Sequence, residues 1–508
     1  MNLGDLFAIP CRRTPEKVAL RCASGEITYA ALFAAARGLA AGLQARGLGP
    51  GDRLAFFLGN GPELVTAHLA ALLLGAVMVP IHLASRRREI AHLLADAGPR
   101  LLLTESAQLA VWEELAPAER AGVEEVVLAE DLAGWAGNPS VFLAPRVEGG
   151  DPALILYTSG TTGPSKGAML SHDNLLATVT GLLAAWAWSP EDTLLLTLPL
   201  FHLHGLVVGL DCALAAGATV ELWRRFDAGR ALDRMARGTA DAAGRSGITL
   251  FFGVPTLYVR LLAELARRQP PADLRAMRLF CSGSAPLAAE TWEAFRELTG
   301  HEILERYGMT EAGMILSNLY AGPRLPGTVG HPLPGVSVRV VDEAGGALPP
   351  GSPGELLVRG ANVFSGYWRA PQKTAASFRA DELGRSWFAT GDLARQDPAT
   401  GAYTLLGRRH ELILCGGENV YPREVEEALA AFPGVREAAV VGRPHPEWGE
   451  VPHAFLVVEE GEAIDEAALA AFLRGQLAAF KLPRSFARVD ALPRNALGKL
   501  QKHLLPAS

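Results

Sequence analysis

The stretch ALILYTSGTTGPSKG, residues 153–167, indicates the fold more clearly than any other part of the 508-residue sequence. Its first five residues form a continuous apolar run, which is typical of a buried strand. The next ten hold three glycines, five hydroxyl side chains and Lys166. Glycines let a backbone bend and expose its N–H groups, so this stretch predicts a strand followed by a phosphate-holding loop. The pattern is not the P-loop, because Lys166 is not followed by Ser or Thr.

Outward from this loop, strand-like segments alternate with segments of helical spacing. Helices are predicted over Thr28–Ala45 and about Glu63–Leu74, and strands over Leu54–Leu58, Arg100–Thr104 and Glu125–Ala129. Strands that alternate with helices of 10–15 residues are typical of α/β architecture. We therefore predict a large N-terminal domain built from α/β subdomains.

The pattern changes after about residue 325. Short strands separated by Gly, Pro and Asp turns are predicted over Val336–Val341, Gly354–Arg359 and Gly401–Leu405, which indicates a β-rich subdomain. A mixed pattern then begins, and we predict a small α+β domain over 408–508 after a large domain over 1–407. Its predicted elements are the strand Glu411–Leu414, the helix Pro422–Ala431, the strands Glu437–Gly442 and His453–Glu459, the helix Glu466–Ala479 and a strand near Phe486.

The composition excludes several classes of protein. Lys and Arg total 47 against 54 for Asp and Glu, a net charge of −7, so nothing points to a nucleic-acid partner. The most apolar run, 69–81, is shorter than the about 20 residues of a membrane span, so it predicts a buried helix that leads into a strand. Five scattered cysteines and the lack of a recognisable signal peptide predict reduced thiols and a cytoplasmic protein.

Five motifs occur together and in a familiar order. They are Tyr157–Gly167, Tyr307–Glu311, Thr390–Asp392, Gly407–Arg408 with Gly416–Pro422, and Pro493–Lys499. In this set and order the chain resembles the adenylate-forming superfamily of acyl-CoA synthetases, nonribosomal-peptide adenylation domains and luciferases. The resemblance covers nearly the whole chain and is greatest to malonyl-CoA synthetases. It implies a reaction in which a carboxylate attacks the α-phosphate of ATP, and a thiol then displaces AMP from the acyl-adenylate.

The resemblance implies which residues hold the nucleotide. A small-residue segment would let adenine approach the backbone opposite the ring of Tyr307. Asp392 and Arg408 would grip the ribose, as acceptor and donor. The implied ATP- and AMP-binding residues are Thr158, Ser159, Gly160, Thr161, Thr162, Gly163, Lys166, Ser282, Gly283, Ser284, Ala285, Pro286, Tyr307, Gly308, Met309, Asp392 and Arg408.

The resemblance also implies the catalytic groups and cofactors. Lys499 would bridge the carboxylate and the α-phosphate, a role that suits a compact cation on a flexible stem. Thr310 would hydrogen-bond the phosphate, and Glu311, with Thr162 as a second candidate, would hold Mg²⁺. Coenzyme A would enter a tunnel lined by Gly416, Gly417 and Glu418 after the small domain rotates about His410. That hinge position usually carries Asp or Lys in the family.

The acyl pocket is predicted from a second group of residues. His202 would gate the pocket or orient the carboxylate, with His204 nearby, and Met314 would shape the floor. A dicarboxylate needs a cation for its distal carboxylate, ideally an arginine, and Arg260 occupies a matching place. Malonate-specific relatives would be expected to carry a further arginine on the helix after Ser282–Pro286, where this chain has Trp292 and, four residues on, Arg296.

These residues predict an ATP-dependent acyl-CoA synthetase acting on a small carboxylic acid, malonate or methylmalonate first. The alternatives are a short- or medium-chain monocarboxylate–CoA ligase, or a stand-alone adenylation enzyme that loads the thiol of a separate carrier protein. An inactive nucleotide-binding protein is disfavoured, because Lys166, Glu311, Asp392 and Lys499 are all present. The expected partners are the carboxylate, ATP and coenzyme A, and the expected state is a monomer or homodimer.

Overall fold

The structure is a computed structural model. It describes residues 2–120, 122–158, 165–236, 247–269, 271–415, 418–446, 448–459, 461–462, 464–495 and 498–506. The fold is mixed α/β, with a large N-terminal part and a small C-terminal part, as the sequence predicts. Its helices are Leu3–Arg13, Tyr29–Ala45, Pro62–Leu74, Arg87–Ala97, Leu109–Glu113, Pro117–Arg120, Leu132–Trp135, His172–Ala185, Cys212–Ala216, Ala228–Met235, Pro255–Leu265, Ala289–Thr299, Pro371–Ala376, Pro422–Ala430 and Glu466–Arg474, and a π-helical turn covers His204–Asp211.

The apolar strand of the quoted stretch lies inside a sheet. In spatial order this sheet comprises Gly366–Tyr367, Lys166–Ser171, Pro152–Thr158, Val77–Pro80, Arg53–Phe57, Leu101–Thr104 and Glu125–Leu128. The strands from Pro152–Thr158 onward are parallel, whereas the first two run antiparallel to their neighbours. The run 69–81 is a helix that ends at Leu74, a left-handed Gly75 and the strand Val77–Pro80, so this prediction is confirmed.

A second, larger sheet forms the other half of the N-terminal part. Its spatial order is His331–Pro332, Gly313–Ser317, Leu304–Met309, Leu279–Ser282, Leu250–Gly253, Thr193–Leu196, Thr219–Leu222, Val18–Cys22 and Gly25–Thr28. The six strands from Leu304–Met309 to Val18–Cys22 are parallel to one another. Such strands need crossover segments, and the helices between them supply these connections.

The β-rich region and the C-terminal part each have an additional sheet. The β-rich sheet joins Val336–Val341, Gly354–Gly360, Ser386–Gln396 and Phe378–Ala380, with Tyr403–Arg408 paired to Ser386–Gln396. The C-terminal sheet joins Glu418–Val420, Ile413–Cys415, Gly449–Val458 and Val435–His445, with Ser485–Arg488 paired to Gly449–Val458.

Some predicted boundaries are wrong. The helix predicted over Glu466–Ala479 ends at Arg474, where Gly475 follows and a short 3-10 turn leads onward. The strand predicted over Gly401–Leu405 occupies Tyr403–Arg408, because Gly401 takes a positive φ of 74° in the preceding turn.

The described residues form one large hydrophobic core and four smaller ones. Buried side chains from Leu3 to Tyr403 make up the large core, and buried side chains from Ile413 to Leu473 make up the main core of the C-terminal part. The chain passes from one to the other near Arg408, and the domain boundary at 407/408 stays a prediction. Within the described ranges, every helix is too short or too polar to reach across a lipid bilayer.

Candidate active site

Four neighbouring parallel strands of the larger sheet end at the same edge. They are Thr193–Leu196, Leu250–Gly253, Leu279–Ser282 and Leu304–Met309. In open α/β sheets, ligands bind outside the carboxyl ends of the strands. The segments that leave these ends carry many of the predicted site residues, namely His202, His204, Arg260, Gly283, Ser284, Ala285, Pro286, Thr310 and Glu311.

The two stems of the predicted phosphate loop are paired strands. Thr158 and Lys166 face each other in antiparallel register, so the loop leaves and re-enters the sheet at one point. The Lys166 ammonium lies 5.3 Å from the ring centre of Tyr367. The loop residues Ser159, Gly160, Thr161, Thr162 and Gly163 lie outside the described residues.

Glu311 is a buried carboxylate in a short 3-10 turn that follows Thr310. Its side chain accepts a hydrogen bond from the Tyr367 hydroxyl, 3.1 Å from Oε1. A buried carboxylate with one neutral partner retains acceptor capacity, which suits a hard cation. Among the described residues no cluster of three potential metal-ligating side chains exists, so a magnesium ion here would need phosphate oxygens and water as further ligands.

Asp392 lies at the centre of a compact polar group. Its carboxylate accepts from Arg408 Nε at 2.8 Å and from the Tyr307 hydroxyl at 2.5 Å, and its backbone N–H donates to Thr390. The pairing of Asp392 with Arg408 across adjacent strands fixes this geometry. Burial raises the pKa of Asp392, whereas the neighbouring Arg408 cation opposes that rise. The hydroxyl of Tyr307 is therefore committed to the residue predicted to hold the ribose.

The segment Ser282–Pro286 passes directly over a buried arginine. A Cβ atom at Gly283 would lie 2.5 Å from Cζ of Arg306, so glycine is required for this approach. Ser284 has a left-handed φ of 70°, which is unusual for serine. Its hydroxyl lies 3.1 Å from Nδ1 of His204.

The strand that follows the buried arginine leads to Met309 and its hairpin partner. Gly308 and Met314 are paired across the hairpin, and a Cβ at Gly308 would lie 2.4 Å from the Met314 methyl carbon. Met314 is buried and Met309 is half-buried. Met314 therefore lies against the backbone of the predicted nucleotide segment.

The two histidines of the Phe201–Gly205 segment are both uncharged in the folded protein. Burial, and secondarily the charge of His82, lowers the pKa of His202 to about 3. Burial and then the Arg306 cation lower the pKa of His204 still more strongly. In the described structure, Nε2 of each ring lacks a hydrogen-bond partner. Both rings thus keep a free polar atom inside the protein.

Arg306 is a candidate functional residue to which the sequence motifs assign no role. It is only 3% exposed, and its Nε and Nη2 atoms find no hydrogen-bond partner among the described residues. Burial lowers the pKa of its guanidinium, although the thiol of Cys281 partly offsets this effect. An arginine inside the strand Leu304–Met309, where every residue up to Tyr307 is buried, was the available sequence signal.

The role of Arg260 at the distal carboxylate stays a prediction. Its side chain is exposed, on the helix Pro255–Leu265, and no polar partner for it is found in the described chain. One turn earlier on the same helical face, Thr256 lies 3.2 Å from a Cβ built on Gly498. Arg260 therefore lies near Gly498, which directly precedes Lys499, and its side chain is not buried in a pocket.

Lys499 reaches the group around Asp392 from the C-terminal part. Its loop is closed by Asn495, whose side chain accepts from the Lys499 backbone N–H at 2.9 Å. The residue is exposed, yet desolvation and the Arg408 charge lower the pKa of its ammonium. Asp392, Glu411 and Glu311 oppose that shift, so these carboxylates lie within electrostatic range of Lys499.

The predicted hinge and tunnel residues lie close to the same junction. His410 is half-exposed, 4.0 Å from Glu411, and burial lowers the pKa of its imidazole. Glu411 is also bound at 3.2 Å by Lys502. Glu418 is exposed on its strand, and Gly416 and Gly417 lie outside the described residues.

Family profiles, curated relatives and solved structures were compared with this chain. The profile of the AMP-binding enzyme family matches residues 7–368, and that of the AMP-binding enzyme C-terminal domain matches residues 424–499. The chain is 35% identical to mitochondrial malonate–CoA ligase ACSF3 of Bos taurus, over 96% of this chain and 87% of that one. It is 36% identical to feruloyl-CoA synthase of an Amycolatopsis species, over 99% and 98%. The ATP-bound crystal structure of MatB from Rhodopseudomonas palustris superposes with a TM-score of 0.89 at 41% identity, over 99% and 98%.

Proposed function

Because the chain belongs to the AMP-binding enzyme family, we propose that it joins a small dicarboxylate, malonate foremost, to coenzyme A. The chain is an acid–thiol ligase of the acyl-CoA synthetase type, and ATP is its nucleotide substrate. What remains to be proposed is the identity of the acid and the role of each residue. The observation that carries the choice of acid is the buried guanidinium of Arg306, whose Nε and Nη2 atoms lack a hydrogen-bond partner among the described residues.

A buried cation without a carboxylate partner is costly, so its retention calls for a ligand that pairs with it. Arg306 adjoins two groups suited to bind an anionic ligand: the Ser284 hydroxyl and the neutral ring of His204. A carboxylate can accept two parallel N–H bonds from a guanidinium. A short acid with a second anionic group fits this arrangement, and a long or aromatic monocarboxylate does not supply the missing charge.

The first step brings a carboxylate and a triphosphate together, so neutralising and positioning charge is the main task. Lys499 would lie between the attacking carboxylate oxygen and the α-phosphate. Lys166 and the loop from Thr158 would hold the remaining phosphates, with Thr310 as a further donor. A magnesium ion held by Glu311 would supply additional positive charge at the phosphates. Bond formation to phosphorus releases pyrophosphate and leaves the acyl-adenylate.

The nucleoside would be held by the polar group around Asp392. Each carboxylate oxygen has one more acceptor position after binding Arg408 and Tyr307, which suits two ribose hydroxyls. Adenine would lie along Ser282–Pro286. Because the partners of Asp392 are already in place, the ribose site is preorganised before the nucleotide arrives.

The second step needs room for a thiol at the acyl carbon. Lys499 lies within electrostatic range of Asp392 and Glu311 in this structure, so we propose that the small domain, 408–508, rotates about His410 to withdraw it. Gly416, Gly417 and Glu418 would then face the pantetheine arm. The thiol sulfur attacks the acyl carbon, the bond to AMP breaks, and the thiol proton passes to solvent.

A substrate panel tests the proposal. Pyrophosphate release is measured with malonate, methylmalonate, sulfoacetate, acetate, propionate and ferulate, each with and without coenzyme A. We expect the highest kcat/KM among the acids with a second anionic group, and AMP release only when coenzyme A is added. Turnover of acetate or ferulate at a rate above malonate would overturn the dicarboxylate assignment. Acyl transfer to a holo-carrier protein but not to free coenzyme A would overturn the choice of acceptor.

A further inference from the structure

A polar bridge joins the helix Arg87–Ala97 to the phosphate-loop stems. Near the C-terminal end of this helix, the carboxylate of Asp96 accepts a hydrogen bond from the Tyr157 hydroxyl at 2.6 Å. The backbone carbonyl of the same Asp96 accepts from the indole N–H of Trp368 at 2.9 Å. Asp96 therefore binds both the strand that carries Tyr157 and the turn that holds Trp368, which lie about two hundred positions apart in sequence.

Each of these two aromatic residues is next to a residue of the proposed phosphate site. Tyr157 precedes Thr158, which is paired with Lys166. Trp368 follows Tyr367, whose hydroxyl donates to Glu311. Fixing Tyr157 and Trp368 thus fixes the backbone on both sides of the site.

The bridge is reinforced from two further directions. His92, one turn before Asp96 on the same helix, has Nε2 2.9 Å from the carbonyl oxygen of Ser165, directly before Lys166. The backbone N–H of Trp368 donates to the carbonyl of Gly167 at 2.7 Å, directly after it. Lys166 is therefore held between two anchored neighbours.

The hydrogen bond between Tyr157 and Asp96 should persist across the physiological pH range. Burial and the bond to Asp96 both raise the pKa of the Tyr157 phenol, so it stays protonated and remains a donor at physiological pH. Hydrogen bonds from a neutral donor to a charged acceptor are among the stronger ones in proteins. Asp96 is half-buried, so this bond is partly shielded from competing water.

We propose that Asp96 is a positioning residue that orients Lys166 and Glu311 for the phosphates of ATP. It touches neither substrate nor phosphate, and it acts through Tyr157 and Trp368. The proposal rests on the proposed function, since it needs ATP phosphates to lie at Lys166. The helix Arg87–Ala97 lies outside the five sequence motifs, and the proposal gives it a role in the affinity for ATP.

The test compares Tyr157→Phe, Asp96→Asn and the double variant with the wild type. Tyr29→Phe is the matched control, because the Tyr29 hydroxyl makes an equally short buried bond of 2.6 Å to the carbonyl of Ala218, away from the loop. ATP dissociation constants come from calorimetry with Mg²⁺, and KM values for acid and coenzyme A from steady-state kinetics. Melting temperatures report folding.

We expect Tyr157→Phe to weaken ATP binding about tenfold, the effect of losing one hydrogen bond to a charged group. Asp96→Asn keeps one acceptor oxygen, so its loss should be smaller, and the double variant should lose no more than Tyr157→Phe alone. KM for the acid and for coenzyme A should change less than twofold. Tyr29→Phe should leave ATP affinity unchanged.

Unchanged ATP affinity in Tyr157→Phe, with ATP bound normally by the wild type, would overturn the positioning role and leave the proposed function intact. An equal loss in Tyr29→Phe would also overturn it, because the effect would then reflect general destabilisation. A wild type that binds no ATP would overturn both this inference and the proposed function.

Discussion

The site contains two cations with opposite surroundings, Arg306 and Lys499. Arg306 is buried in a strand of the larger sheet, under Gly283, and its position is fixed by packing. Lys499 is exposed on a loop of the C-terminal part and lies within electrostatic range of Asp392 and Glu311 in the large part. Under the proposed function, the rigid planar cation would meet the anionic end of the acid, and the compact cation on the loop would meet the charge that changes during the reaction.

The comparison teaches why one site can serve two steps. Under the proposed function, the buried Arg306 would contact the acid in both steps, because packing holds it in place. A group on a mobile loop can stabilise the first transition state and then vacate the space that a thiol needs. We therefore expect changes at Lys499 to affect one half-reaction, and changes at Arg306 to affect one class of substrate.

The largest effect is expected from Lys499→Ala. Removing a cation aimed at developing charge costs about 10²–10³-fold in rate, and only adenylation should suffer. Pyrophosphate release from malonate and ATP measures the first half-reaction, and malonyl-CoA formation from synthetic malonyl-adenylate measures the second. Lys373→Ala, a change of an exposed lysine on the helix Pro371–Ala376, is the control. Equal loss in both half-reactions would contradict the division of labour between the two cations.

The next effect is expected from Arg306→Met, which keeps length and removes charge. Loss of one member of a buried ion pair costs about 2–5 kcal/mol, so kcat/KM for malonate should fall by about thirtyfold to several thousandfold. Acetate turnover should change far less. Since the free enzyme buries an unpaired cation, the variant should also melt at a higher temperature.

Arg260→Met and Arg267→Met accompany this variant as tests of location. Arg267 lies two positions beyond the end of the helix that carries Arg260. Arg267→Met removes the same charge near that helix and serves as the control. Exposed pairs contribute about 0–1 kcal/mol, so Arg260→Met should cost malonate turnover less than tenfold. A greater loss for Arg260→Met than for Arg306→Met would reverse the assignment of the distal-carboxylate cation.

Sequence reasoning was stronger for the backbone than for the pocket. Local patterns predicted the strand Pro152–Thr158, because an apolar run between turn signals has few alternatives. They also predicted that Asp392 and Arg408 belong to one site, through the resemblance and not through spacing. They missed Arg306, although it directly precedes the motif Tyr307–Glu311, because its burial depends on tertiary packing that no local pattern specifies.

The contacts of Asp96 could not be predicted from the sequence, for a different reason. Pairing of residues 96, 157 and 368 depends on which strands become neighbours, and no local signal specifies this. The order of Gly366–Tyr367 next to Lys166–Ser171 is set by tertiary packing. The same holds for Arg260, whose helix was predicted to line the pocket while its side chain is exposed.

A change at Asp392 tests the surroundings of Lys499. Asp392→Asn removes a negative charge that the Lys499 ammonium senses, and it weakens the ribose site. We expect KM for ATP to rise about tenfold, the scale of one charge-assisted hydrogen bond, with a smaller effect on KM for the acid. Asp397→Asn, an exposed turn residue beyond the same strand, is the control. An unchanged KM for ATP would contradict the role of Asp392 at the nucleotide.

The smallest effect concerns Glu305, the sequence neighbour of Arg306. Burial raises its pKa to about 7 from an ordinary value of 4.5, although the charge of Arg423 in the C-terminal part opposes this shift. Between these two pH values the folded protein binds more protons than the unfolded chain, so its stability falls as pH rises from 4.5 to 7. Glu305→Gln should remove this loss and melt about 2–4 °C above the wild type at pH 8, with no difference at pH 4.5. Glu297→Gln, an exposed change on the helix Ala289–Thr299, should follow the wild type at both pH values. A pH-independent gain for Glu305→Gln would mean that packing, and not the buried charge beside the fixed cation, accounts for it.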